Sequence, residues 1–143
     1  MQNLEMVFKE CHKISVILME VYPDKKFTFD TASMSTYEII FRIDTNTLIF
    51  NYFPERYEPE GVMFYKGLQV KFGFNVSIKY SVKRLLSFFE NDCKLFIDDY
   101  RTQTIRESLE SFDKLLSYIQ LNEHQNWEEM YKIYIEKNYT WRW

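Results

Sequence analysis

Cysteine and histidine are the first side chains to consider for chemistry, and the chain has two of each: Cys11, Cys93, His12 and His124. A zinc site needs three or four such ligands at close pair spacings. Cys11 and His12 are adjacent, so their side chains diverge by about 100° on a helix. His124 and Glu128 are spaced i, i+4 and could share a metal, but two ligands are too few. The sequence therefore predicts no metal site.

A nucleophilic site would have to combine Cys93 with one of the two histidines, because a nucleophile and its base must meet in space. Cys93 falls on an apolar stripe with helical spacing, where a thiol is more often an inert part of the core. Gly61, Gly67 and Gly73 are separated by five residues each, whereas a phosphate-binding loop needs clustered glycines. We therefore predict neither a catalytic residue nor a cofactor.

Carboxylates on a predicted helix suit recognition better than catalysis. Asp98 and Asp99 are adjacent and so do not face each other across a cleft. Glu107, Glu110 and Asp113 step by three residues, which places them on one side of their helix. Exposed carboxylates steer a basic partner toward a surface. We take all five as candidate contact residues for a protein partner.

An acidic loop and an aromatic tail complete the candidate contacts. The loop combines an aromatic side chain, which gives contact area, with charges that steer association. It consists of Glu55, Tyr57, Glu58 and Glu60. The last three residues include Trp141 and Trp143, which would form a costly exposed patch if they stayed in water. Either this tail folds back onto the core, or it contacts a partner or a second copy of the chain.

Length and composition indicate one globular domain, which we take as residues 1–143. This length is common for a single domain. Apolar residues make up 46% and charged residues 27% of the chain, as in proteins with a hydrophobic core. The formal net charge of −3 argues against direct binding of nucleic acid, which favours a basic surface, and permits a basic protein partner.

The chain carries no predicted membrane or targeting segment. No stretch approaches the ~18–20 apolar residues that cross a membrane. The first residues lack the basic region and continuous apolar run of a signal peptide. We therefore expect a cytoplasmic protein in which Cys11 and Cys93 are buried and reduced. A disulfide between these two cysteines is the alternative.

Apolar periodicity separates a first helix from a region of strands. Residues 3–21 have apolar spacings of three and four, which predicts an amphipathic helix. Its stripe is Leu4, Val7, Phe8, Cys11, Ile14, Leu18 and Val21. Residues 26–76 change to a period of two, which predicts strands. We expect a β-hairpin over 36–53 that turns near Asn46, followed by one or two strands around a turn at Lys66-Gly67.

Helical spacing returns from Ser81, with an interruption near Asn91-Asp92. Thr104 and Glu107 have the spacing of a capping box, and a last helix begins at Asn126. The expected stripes of these two helices are Ile105, Leu109, Phe112, Leu116 and Ile119, and then Trp127, Met130, Tyr131 and Tyr134. This order predicts an α+β fold: an antiparallel four- to five-stranded sheet preceded by one helix and followed by two or three helices packed on it.

Three functional hypotheses follow from this profile. A small, acidic, aromatic-rich chain without a catalytic motif is typical of inhibitory binding proteins, such as bacterial toxin-immunity proteins or phage-encoded inhibitors. Such a protein would bind a partner protein, for example a basic toxin or nuclease. The first alternative is a small-ligand-binding domain or enzyme with an apolar aromatic pocket between sheet and helices. The second is a structural homo-oligomer that uses the tryptophan tail.

Overall fold

A computed structural model describes residues 4–32, 34, 38–52, 65–92 and 102–139. Within these ranges one helix precedes an antiparallel sheet, and three helices follow the five main strands. This confirms the predicted α+β arrangement. In chain order the elements are α1 (Leu4–Val21), β1 (Phe27–Phe29), β2 (Glu38–Ile43), β3 (Asn46–Tyr52), β4 (Tyr65–Phe72), β5 (Asn75–Ser81), α2 (Val82–Glu90), β6 (Thr102–Gln103), α3 (Ile105–Leu121) and α4 (Trp127–Tyr139).

The sheet is an antiparallel meander. Strands β1 to β5 lie side by side in chain order, and each runs antiparallel to its neighbours. The two-residue strand β6 pairs with the beginning of β4, where Tyr65 lies opposite Gln103. Short connections between consecutive strands favour this order, because sequential strands then pair directly.

The predicted hairpin is formed by β2 and β3. Ile43 pairs with Asn46, so the turn consists of Asp44 and Thr45 alone. Asp44 takes a left-handed φ of 55°, a conformation that Asp tolerates better than most residues. The side chain of Asn46, near which we placed the turn, instead accepts a hydrogen bond from the backbone N–H of Gly73 at 3.2 Å.

The predicted turn at Lys66-Gly67 is wrong, because both residues lie inside β4. The pairing of β4 with β3 shifts between Phe50 and Tyr52, which leaves one extra residue on β4. Gly67 takes a positive φ of 74° beside this shift. A bulged position with positive φ favours glycine, so the glycine marks an irregular strand and not its end.

The chain turns instead at Gly73-Phe74, between β4 and β5. A Cβ at Gly73 would lie 2.7 Å from the Cβ of Thr45, closer than side chains approach. Glycine is therefore required where the turn between β4 and β5 packs against the turn between β2 and β3.

The main core lies between one face of the sheet and the helices. The alternating residues Ile39, Phe41 and Ile43 of β2 are all buried, as the period of two predicted. Phe41 stacks on Phe50 of the neighbouring strand with ring centroids 5.7 Å apart. The helices contribute further buried apolar residues to this core, among them Ile14, Leu18, Val82, Leu85, Leu86, Ile105, Leu109, Phe112 and Leu115.

Two predicted stripe residues prove to be exposed. Phe8 on α1 and Met130 on α4 retain 55% and 52% of their accessible surface. On α3 the buried face is rotated slightly from the prediction, so Leu115 is buried and Leu116 only partly. Helix α2 ends at Asn91, which adopts a left-handed conformation, and this confirms the predicted interruption.

Aromatic rings attach the last helix to the rest of the core. The indole of Trp127 at the start of α4 contacts Phe72 of β4, Tyr80 of β5 and Phe89 of α2, with centroids 6.2, 5.6 and 5.7 Å away. The hydroxyl of Tyr80 donates a hydrogen bond to Glu128 at 3.2 Å. A single turn of α4 therefore combines ring packing with a polar contact to the sheet.

None of the described helices is long and apolar enough to cross a bilayer.

The Cys11 thiol should react only when the chain unfolds. Burial raises its pKa, and the adjacent Glu10 charge adds to the effect, so little of the reactive thiolate is present at neutral pH. In a Cys93→Ser variant, a chromogenic disulfide reagent should titrate no thiol in buffer and one in denaturant. A Cys93→Ser/His12→Cys variant, whose new thiol is exposed, is the positive control. Rapid reaction of Cys11 in buffer would contradict its burial.

Tyr80 should make stability depend on pH in the alkaline range. Burial, followed by the charge of Glu128, raises the pKa of Tyr80 to about 12. The folded state therefore favours the neutral phenol. The stabilisation that this raised pKa gives the folded state is complete below about pH 10, the pKa of tyrosine in the unfolded chain, and is lost as the pH rises toward 12. Urea titrations should show that the free energy of unfolding declines over this pH range. The decline should be smaller in Tyr80→Phe by an amount on the order of 2 kcal/mol. Parallel curves for the two proteins would refute this.

Candidate functional site

The acidic residues of α3 lie beside the C-terminal end of α1. The guanidinium of Arg106 donates a hydrogen bond to the carboxylate of Glu20, and the hydroxyl of Tyr22 donates one to Asp113. Glu110 lies one helical turn from both Arg106 and Asp113, so it shares their side of α3. We call Glu20, Tyr22, Arg106, Glu110 and Asp113 the α1–α3 seam.

Tyr22 holds the carboxylate of Asp113 in place. The Tyr22 side chain is buried, and its pKa is raised well above its ordinary value by burial and then by the hydrogen bond to Asp113. The phenol therefore remains a neutral donor at physiological pH. Asp113 itself is exposed, so its carboxylate combines a fixed hydrogen bond with access to solvent.

Lys25 extends the seam toward the sheet. Its ammonium lies 5.5 Å from the centroid of the Tyr22 ring and 3.2 Å from the carboxylate of Asp44, in the turn between β2 and β3. The extended surface therefore carries the carboxylates of Glu20, Glu110, Asp113 and Asp44 against the cations of Arg106 and Lys25. Among these six side chains carboxylates outnumber cations four to two, and the exposed Lys114, one helical turn from Glu110, adds a third cation, on α3.

Glu107 closes the N-terminus of α3. The hydroxyl of Thr104 accepts from the backbone N–H of Glu107, and the Glu107 carboxylate accepts from the backbone N–H of Thr104, both at 3.2 Å. This is the predicted capping box. Buried residues on the opposite side, including Ile105 and Leu109, fix the rotation of the helix, and so determine which acidic residues face solvent.

The three acidic residues predicted on α3 are all exposed, but they differ in their contacts. Glu107 is held by the capping box, and Asp113 by Tyr22. Within the described part of the chain, Glu110 forms no hydrogen bond or ion pair. The remaining predicted contact residues lie outside the described ranges: Glu55, Tyr57, Glu58, Glu60, Asp98, Asp99, Trp141 and Trp143.

Sequence reasoning missed the contributions of Glu20, Tyr22, Arg106 and Asp44. Tyr22 and Asp113 are 91 residues apart, and Glu20 and Arg106 are 86 apart. Short-range periodicity carries no information on such pairs. The one local signal is the position of Tyr22, four residues after the buried Leu18 and one residue beyond the end of α1.

Other candidates for chemistry have simpler roles among the described residues. His124 is exposed and lies 3.2 Å from Glu123, whereas Glu128, with which it was paired above, accepts a hydrogen bond from Tyr80. In the described ranges no three His, Cys, Asp or Glu side chains come together in a way that would hold a metal ion. Cys93 lies outside these ranges.

Aromatic rings also pack between the helices that follow the sheet. Phe89 stacks on Tyr118 at a centroid distance of 5.5 Å with the two rings nearly parallel, and Phe88 packs edge-on against Tyr131 and Tyr134. These rings act as packing partners between α2, α3 and α4. Here the aromatic composition of the chain serves to hold the helices together.

Comparisons with protein-family models, with curated proteins and with solved structures found no match to this chain.

The Tyr22–Asp113 hydrogen bond should contribute measurably to stability. Replacing Tyr22 with Phe removes the donor and keeps the ring, so the free energy of unfolding should fall by about 1.5 kcal/mol. This is the lower end for a hydrogen bond to a charged group, because Asp113 stays accessible to water. Urea unfolding of the single and double variants with Asp113→Ala, which removes the acceptor, would give the coupling energy. Additive effects would show that the two side chains do not interact.

Proposed function

We propose that this chain is a non-enzymatic protein-binding domain that inhibits or neutralises a partner by stoichiometric binding. More specifically, we propose a toxin-immunity protein or a phage-encoded inhibitor that acts in the cytoplasm. The observation that supports this proposal is the α1–α3 seam, where exposed carboxylates are held on two packed helices. A basic protein, such as a toxin or nuclease, is the partner that this charge favours, with no cofactor required.

The rigidity of the seam supports binding more than a loose group of acids would. Association costs free energy for each long side chain that becomes ordered, about 0.5–1.5 kcal/mol. Asp113 and Glu20 are already ordered by Tyr22 and Arg106. A partner that contacts them therefore meets carboxylates whose positions are set before binding.

The acidic residues of α3 would contribute in different ways. All of them add to the negative field that steers a basic partner, and this affects the association rate. Direct contact also needs a carboxylate oxygen that can accept a new hydrogen bond. Glu110 has the fewest internal contacts of the three, so its oxygens are open to a partner, and it is our candidate for the central contact, with the ordered carboxylates of Glu20 and Asp113 beside it.

The partner is best identified by affinity capture from the native host followed by mass spectrometry, with Glu110→Lys as the comparison bait. Glu136→Lys is the matched control, because Glu136 is exposed on α4 and its reversal changes the net charge equally. The wild-type and control baits should recover the same basic protein, and Glu110→Lys should recover much less. Equal recovery of the partner by all three baits would exclude the α1–α3 seam as the binding surface.

Binding kinetics should then separate steering from contact. With the captured partner, Glu110→Lys should lower kon about tenfold at low salt and also raise koff. Glu107→Gln keeps an acceptor for the capping box, so it should lower kon only slightly and leave koff unchanged. Association that does not slow as salt rises would contradict electrostatic steering. Turnover of a small molecule by the pure protein would favour the ligand-binding or enzyme alternative.

A further inference from the structure

Helix α1 carries a row of apolar side chains on the side that faces away from the core. Phe8, Val16 and Met19 retain 55%, 43% and 60% of their accessible surface. Together with the exposed His12 they follow helical spacings of four and three residues, so they form one stripe. We call these four residues the α1 ridge. Exposed apolar surface that is contiguous in this way marks interaction sites.

The α1 ridge is complementary to itself when two helices run antiparallel. If Phe8 of one helix lies opposite Met19 of the other, then His12 lies opposite Val16, and the same two contacts recur on the other side of the centre. A twofold axis then passes between the helices near residues 13 and 14. Such a pairing is isologous, as in the commonest class of homodimer.

The charges beside the ridge favour the same alignment. Lys9 and Glu20 are both exposed and lie on the same flank of the ridge. In an antiparallel pair equal flanks face each other, so Lys9 lies near Glu20 of the second helix, and this contact occurs twice. In a parallel pair opposite flanks face each other, so Lys9 would not meet Glu20 and both of these favourable contacts would be lost. Glu20 already accepts from Arg106, but its side chain is still 54% exposed.

We propose that two copies of this chain associate through the α1 ridge, with the two α1 helices antiparallel about a twofold axis. The interaction does not depend on the proposed partner protein and can be tested with the pure chain.

Sedimentation equilibrium tests whether the ridge mediates dimerisation. Because a single helix pair is a small interface, a reversible monomer–dimer equilibrium is expected between about 5 and 500 µM. Phe8→Glu and Met19→Glu should each raise the dissociation constant more than about tenfold, since each places a charge in the apolar contact. Met130→Glu, at a similarly exposed apolar position on α4, should leave it unchanged. A chain that stays monomeric throughout, or a dimer insensitive to both ridge substitutions, would overturn the proposal.

A charge exchange tests the alignment. Lys9→Glu should weaken the dimer about fivefold or more, because it sets two pairs of carboxylates against each other. Adding Glu20→Lys to the same chain should restore most of the affinity. The melting temperature of each variant, measured on the dilute monomer, separates this effect from the loss of the Arg106–Glu20 ion pair. If the double variant dimerises no better than Lys9→Glu, the antiparallel alignment is wrong.

Disulfide trapping distinguishes antiparallel from parallel helices. In a Cys93→Ser background, two copies of His12→Cys would be offset by only about 4–6 Å along the helix axis, whereas two copies of Met19→Cys would be about 16 Å apart. Oxidation should therefore link His12→Cys into a dimer and leave Met19→Cys unlinked. Equal linking at both positions would show a parallel pair, and no linking at His12→Cys would place the contact elsewhere.

Discussion

The packing of Trp127 is the interaction on which the arrangement of the helices depends. Its indole contacts side chains from β4, β5 and α2, so three consecutive elements, all distant in sequence from Trp127, share one buried ring. Phe89, one of these contacts, also stacks on Tyr118 of α3. The position of α3, and therefore of its exposed acidic residues, is coupled to the sheet through this chain of rings. Large planar side chains suit this role because each buries much area with few rotatable bonds.

Tyrosines that pack in this structure repeatedly direct their hydroxyls to carboxylates. Besides the Tyr22–Asp113 and Tyr80–Glu128 contacts, Tyr118 donates to Glu90 at 3.0 Å, and this hydrogen bond raises the pKa of Tyr118. A phenol that packs against other rings needs a partner for its O–H, since a buried unsatisfied donor is costly. Part of the acidic composition of the chain is therefore used internally, and a count of acids in the sequence overstates the number of carboxylate oxygens that are free to accept a hydrogen bond from a partner.

The sequence predicted those features that depend on near neighbours. Element types, the hairpin, the capping box at Thr104 and the end of α2 follow from periodicity and local hydrogen bonding. Gly67 was misread because a Lys-Gly pair is typical of turns, whereas the pairing of β4 with β3 determines that this glycine occupies an irregular strand position. Met130 was misread because the burial of Trp127 sets the rotation of α4. The seam itself joins residues 86 and 91 positions apart, and only the packed structure brings them together.

The difference between steering and contact decides what the seam can do. A carboxylate that accepts an internal hydrogen bond keeps its negative charge, so Asp113 and Glu107 add to the long-range field as fully as a solvated acid does. Short-range recognition is different, because a new bond to an oxygen that is already occupied competes with the existing one. Tyr22 and Thr104 therefore leave the field of α3 intact while they reduce the number of acceptors that a partner can use. In the proposed complex, the face of α3 would therefore act as a broad electrostatic surface, with direct contact concentrated at Glu110.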